Sequence, residues 1–110
     1  MNAYLERLLL DFPAEAIFYD GKYFQVKSYG EDLYALEISE PGPCGDKTPH
    51  PLLKFTYQGN NIGYRYFADF VVNPIMMVYA TEENLPFFQE SMLKILSRFK
   101  NVFPYEGNEI

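Results

Sequence analysis

Cys44 and His50 are the only cysteine and histidine in the chain, and both fall in the run Glu-Pro-Gly-Pro-Cys-Gly-Asp-Lys-Thr-Pro-His-Pro that spans 40–51. A thiol beside an imidazole is the pairing that yields a thiolate nucleophile. Nothing else in the run supports that chemistry. The spacing is not diagnostic, prolines between and beside the two residues preorganise them poorly, and no stretch offers an oxyanion hole. The expectation is an unactivated loop thiol, a solvent-exposed imidazole and no catalytic residue. Adjacent acids occur twice, as Glu31-Asp32 and Glu82-Glu83. Carboxylate pairs bind Ca²⁺ or share a catalytic proton, but neighbours on a strand point to opposite faces. A turn and a helix N-terminus account for both pairs. One Cys and one His assemble neither a disulfide nor a metal-ligand framework, so no metal and no cofactor is expected. Met76, Met77, Tyr79 and Met92 suit either a core or the lining of a small-ligand cavity. Glycine-rich phosphate loops, nucleophile elbows, metalloprotease helices and internal repeats are all absent from the sequence.

The elements that carry these residues are led by one helix. From Asn84 to Phe103, Leu85, Phe88, Met92, Ile95, Leu96, Phe99, Val102 and Phe103 form one stripe, opposite Glu90, Lys94, Ser97 and Asn101. Asn84 is the expected N-cap, Pro86 lies in the first turn and Pro104 stops the helix. Burying such a stripe contributes about 1.5 to 3 kcal/mol per large apolar side chain. A shorter amphipathic helix is expected over Ala3 to Phe12, ended by Pro13.

Between the helices the pattern is that of strands. Asp20-Gly21 marks a two-residue hairpin that pairs Tyr19 with Lys22, Phe18 with Tyr23 and Ile17 with Phe24. Gly30-Glu31-Asp32 makes a second turn before a strand in which Tyr34, Leu36 and Ile38 alternate with Ala35 and Glu37. The proline-rich run 40–51 reads as the longest loop, without regular structure. Leu52 to Gln58 and Ile62 to Val72 read as two further strands around Gly59-Asn60-Asn61. Ile75 to Ala80, continuously apolar, reads as a central strand covered on both faces. Residues 105–110 are expected to fray.

The fold class is therefore α+β: a single domain over 1–110, with five to six mostly antiparallel strands and both helices packed on one face. The other face is left open. Strict alternation puts Tyr23, Gln25, Lys27, Arg65, Phe67 and Asp69 on it.

Charge and aromatic content bear on function. The chain has 110 residues and a net charge of −6, and residues 1 to 46 hold nine acids against three bases while the remainder is balanced. That distribution argues against direct nucleic-acid binding and suits a basic protein partner. Ten Tyr and ten Phe exceed what such a core requires, so some belong at an interface. The expected function is a small acidic protein-binding module that inhibits or neutralises a basic macromolecular partner, in the manner of an immunity or anti-defence protein, through Glu31, Asp32, Glu37, Glu40, Tyr23 and Phe67. The alternatives are a secretion or assembly accessory protein forming a homodimer through its sheet, and a small-ligand-binding domain. The sequence carries no secretory leader pattern and no apolar run of 18 residues, so a cytoplasmic protein without membrane association is expected.

Overall fold

The structure is a computed structural model that describes residues 2–104. Helix α1 (Asn2–Asp11) is followed by β1 (Ile17–Tyr19), β2 (Lys22–Gly30), β3 (Leu33–Pro41), β4 (Lys47–Gln58), β5 (Asn61–Asp69) and β6 (Met76–Tyr79), and then by α2 (Leu85–Phe99). The strands form one antiparallel sheet in chain order, β1-β2-β3-β4-β5-β6. Short connections dictate this meander. Asp20 (φ 54) and Gly21 (φ 78) are both left-handed, as a type I′ hairpin requires, and β1 pairs with β2 in the register expected from that turn. Glu31 (φ 55) and Asp32 (φ 65) repeat the geometry between β2 and β3.

Both helices lie on one face. Phe88, Met92, Ile95, Leu96 and Phe99 of α2 and Tyr4, Leu5 and Leu8 of α1 are buried in one cluster with Phe24, Leu36, Ile38, Leu53 and Phe55 of the sheet. The Phe99 ring lies 5.5 Å from Phe12 and 5.3 Å from Phe24, tilted or edge-on to each. The Tyr4 hydroxyl donates to the Phe103 carbonyl at 2.7 Å, joining the first helix to the turns that follow the second. Burial pushes this phenol up to about 12.

Four expectations are overturned in whole or in part. First, 40–51 is not a long loop. β3 runs to Pro41 and β4 begins at Lys47, leaving a tight turn in which the Gly42 N–H donates to the Asp46 carbonyl at 2.7 Å. A Cβ on Gly42 would meet the Asp46 carboxyl group, which would have to swing aside. Pro51 fits because the ladder shifts between Glu37 and Ser39: Glu37 faces Leu52 and Ser39 faces Pro49, so β4 carries an extra residue at His50-Pro51. A bulge is where a strand tolerates a residue that cannot donate.

Second, β6 is an edge strand rather than a central one, with Met76 and Val78 towards the core while Met77 is 55% and Tyr79 71% exposed. The apolar run was too short to distinguish a doubly covered strand from an edge. Third, Asn84 stands at the N-cap of α2 as expected, its carbonyl accepting from Phe88 N–H at 3.3 Å, but its side chain makes no capping bond; its Oδ1 accepts from Thr81 N–H at 2.7 Å and its Nδ2 donates to the Tyr79 carbonyl at 3.0 Å, closing the turn after β6. Regular helix ends at Phe99, although Val102 and Phe103 still pack on the core.

Fourth, β5 does not alternate strictly. Lys54 faces Tyr66 but Phe55 faces Tyr64, so Arg65 is an extra residue and the strand changes face across it. Tyr64 and Phe67 therefore both point to the helices, their rings 5.8 Å from Phe88 and 4.9 Å from Phe87 respectively. β5 also ends at Asp69 rather than Val72. The expected fraying of 105–110 lies outside the described residues.

Candidate functional site

The uncovered face of the sheet can be reconstructed from the ladder, because directly opposed residues share a face. One row runs Phe18, Tyr23, Ser39, Pro49. The next runs Gln25, Glu37, Leu52, Ala68, Met77, and a third Lys27, Ala35, Lys54, Tyr66, Tyr79. The centre is built from short side chains, with Ala35, Ser39 and Ala68 buried although no helix lies over them. Long side chains on both flanks shadow this floor. The Phe18 and Tyr23 rings stand 4.9 Å apart on one flank, and the Tyr66 and Tyr79 rings 4.9 Å apart on the other. Lys47 Nζ lies 4.7 Å from the centre of the Tyr23 ring, and Lys54 Nζ 4.8 Å from that of Tyr29, each close enough for cation–π attraction.

Charge on this face is opposite in sign to that of the chain. Lys27, Lys47 and Lys54 stand on it, and Arg65 joins Lys54, Tyr66, Tyr79 and Leu33 around one depression. The acid within these rows is Glu37, 5% exposed. Lys27 Nζ contacts its Oε1 at 2.7 Å, and the Ser39 hydroxyl donates to its Oε2. The Lys27 amine is raised above its ordinary value by the hydrogen bond to Glu37 and by that carboxylate's charge, against the opposing effect of burial. Lys47, Lys54 and Arg65 make no ion pair with a described residue.

The residues expected to form one binding patch are dispersed. Tyr23 does stand on the uncovered face. Phe67 does not: it is 7% exposed and packed under α2, the change of face at Arg65 having turned it inward. Glu37 is on the uncovered face but buried and paired. Glu40 is on the opposite face, its Oε2 3.5 Å from Lys22 Nζ and 3.9 Å from His50 Nε2. Glu31 and Asp32 are exposed at the tip of the β2–β3 hairpin. The four acids thus belong to three different surfaces.

Cys44 and His50 are also separated in role. Cys44 is exposed in the β3–β4 turn, whereas His50 lies within β4 and is only partly exposed. Its Nδ1 is 2.6 Å from Asp69 Oδ1, and that oxygen also accepts the Val71 N–H at 3.1 Å. Two bulges make this pair. The extra residue in β4 re-aims His50, and the extra residue in β5 re-aims Asp69, so both face the helices.

Sequence reasoning missed Tyr66, Tyr79, Lys47 and Lys54 as members of the uncovered face, and His50–Asp69 as a pair. Two signals point to them in retrospect. The adjacent aromatics Tyr66-Phe67 must divide between faces, and a single acid within Phe67-Ala68-Asp69-Phe70-Val71 calls for a partner once buried. Among the described residues there is no cluster of three or more metal-ligating side chains and no helix long and apolar enough to cross a membrane. Compared with protein-family models, with curated proteins and with solved structures, the chain finds no match.

Proposed function

We propose that this chain is a protein-binding module that engages its partner through the uncovered face of the sheet, and that the partner presents an acidic surface there. One observation carries the reading: a buried floor of small residues flanked by exposed and half-buried aromatic rings and by cations that pair with no described acid. Tyrosine rings provide large contact area at little cost in side-chain entropy, and interface centres are enriched in them. Lysines and arginine around the rings favour encounter with an acidic partner. Two copies of the same face are alike in charge, which disfavours the face-to-face homodimer. The test is capture of host proteins by the wild-type chain and by a Tyr66→Ala, Tyr79→Ala, Lys54→Glu variant whose denaturation curve matches wild type. A partner lost from the variant by at least about tenfold, with binding that weakens in salt, supports the reading.

A second reading keeps the inhibitor of a basic macromolecule, moved to the end of the sheet. Glu31 and Asp32 are exposed there, and the Asp32 carbonyl accepts the Tyr57 N–H at 2.9 Å. The Tyr57 phenol is raised by burial and then by the charge of Glu6, which brings a third acid to the same end. A partner that survives the face variant but is lost on reversing Glu31 and Asp32 to Lys would overturn the first reading in favour of this one.

A further inference from the structure

The other side of the sheet carries a second opening, independent of the face just described. Between the ends of β4 and β5 and the outer side of α2 lies a cavity of about 310 Å³, with Pro51, Phe67, Phe87 and Ile95 among its walls and His50, Asp69, Ser91, Lys94 and Arg98 around them. Its size falls at the lower end of the range for small-molecule clefts, and its make-up matches them: apolar walls with a few converging polar groups. The charges in it do not cancel internally. Asp69 is already committed to His50 at 2.6 Å and to the Val71 N–H at 3.1 Å. Lys94 reaches Glu90, outside the cavity, at 3.6 Å with both side chains exposed, a weak and screened pair. Arg98 is only partly exposed and forms no ion pair with a described residue. Its guanidinium donors, with no described acid beside them, are open to an anion that enters the cavity.

We propose that this cavity binds a small organic carboxylate: the carboxylate at Arg98, whose planar fork of donors matches it, and an aromatic or branched apolar body against Phe67, Phe87 and Ile95. Ser91 is available to a polar substituent on that body. Selectivity follows from the same geometry. A neutral ligand of equal shape leaves the guanidinium unsatisfied, and a carboxylate without an apolar body leaves the walls wet.

The experiment is an amide-resonance titration of the whole chain with benzoate, with benzyl alcohol as the neutral counterpart and with acetate as the headgroup alone. Benzoate is expected to give saturable shifts at Phe67, Phe87, Ser91 and Ile95 at about millimolar concentration, as a ligand of so few atoms allows. Benzyl alcohol and acetate should bind at least about tenfold more weakly, and Arg98→Gln should abolish the preference for benzoate over benzyl alcohol. Arg98→Lys, which keeps the charge but not the fork, should restore part of it. The proposal is overturned if benzoate and benzyl alcohol shift the same resonances equally, if Arg98→Gln responds to benzoate as wild type does, or if none of the probes perturbs the cavity. Arg98 also stands in the last turn of α2, where a cation is stabilised by the negative end of the helix dipole. If that were its whole role, Arg98→Gln would lower thermal stability and leave the benzoate response intact. The Tyr66, Tyr79 and Lys54 variant should bind benzoate normally, so the failure of one binding surface is separable from the failure of the other.

Discussion

On the helix-covered face of the sheet Phe24, Leu36, Ile38, Leu53 and Phe55 are buried beneath α1 and α2; on the other face Ala35, Glu37, Ser39 and Ala68 are buried with no layer of described residues above them. Large apolar side chains meet a second layer and interdigitate with it on the first face, so water is excluded by packing. On the second, short side chains sit between Lys27, Lys54, Tyr66 and their neighbours, long side chains whose stems and rings flank the floor. Low exposure therefore means two different things in one sheet. Deleting a covered side chain leaves a cavity. Deleting a flanking one that pairs with no buried group opens the floor to solvent or to a partner, at little cost to the fold.

The largest test of this contrast is Phe99→Ala. Phe99 is fully buried between Phe12 and Phe24, and the substitution should cost about 3 to 5 kcal/mol in a denaturant titration. Tyr79→Ala, which removes a comparable ring from the uncovered face, should cost about 0.5 kcal/mol or less. Equal losses would show that the uncovered face is a core surface after all.

The next largest effect concerns the buried acid on the uncovered face. Lys27→Met removes the partner of Glu37 and should cost about 1 to 3 kcal/mol, towards the lower figure because Lys27 is itself 36% exposed and partly screened. Adding Glu37→Gln should recover most of that loss, measured as a double-mutant cycle. A cycle that closes to zero would make the pair incidental. The Lys27 amine is raised in the folded state, so its contribution is complete below the ordinary lysine value and is lost as pH climbs through the raised one.

The smallest effect is a slope. Tyr4 ionises near 10.0 when unfolded but at about 12 when folded, because burial disfavours the phenolate. Between those values the unfolded chain releases a proton that the folded chain keeps, so stability is full below pH 10 and falls towards pH 12. Tyr4→Phe should reduce this alkaline slope without abolishing it, since burial also raises Tyr64. An unchanged slope, followed by circular dichroism, would mean that Tyr4 is solvated in the folded protein.

Much of the fold was legible because it rests on local rules. The α2 stripe has the helical period, Asp20-Gly21 admits the φ angles of a type I′ turn and sets the β1–β2 register, and short connections exclude crossover helices. The candidate site was legible only in part. Tyr23 was assigned to the right face, but Phe67 was not. Alternation carries a residue's direction along a strand until a single extra residue reverses it, and nothing in Tyr64-Arg65-Tyr66 marks which residue is extra.

By itself, then, the sequence determined the α+β class, the order of elements, the helix face that is buried and the absence of the familiar catalytic motifs. Tertiary structure alone decided that 40–51 is mostly strand, that His50 meets Asp69, and that the sheet's free face is basic in a chain of net charge −6. Period and turn chemistry are properties of neighbours in the chain. The position of a bulge, and with it the face on which a charge emerges, depends on which pairing of two strands buries the most apolar surface while leaving proline without a donor to satisfy.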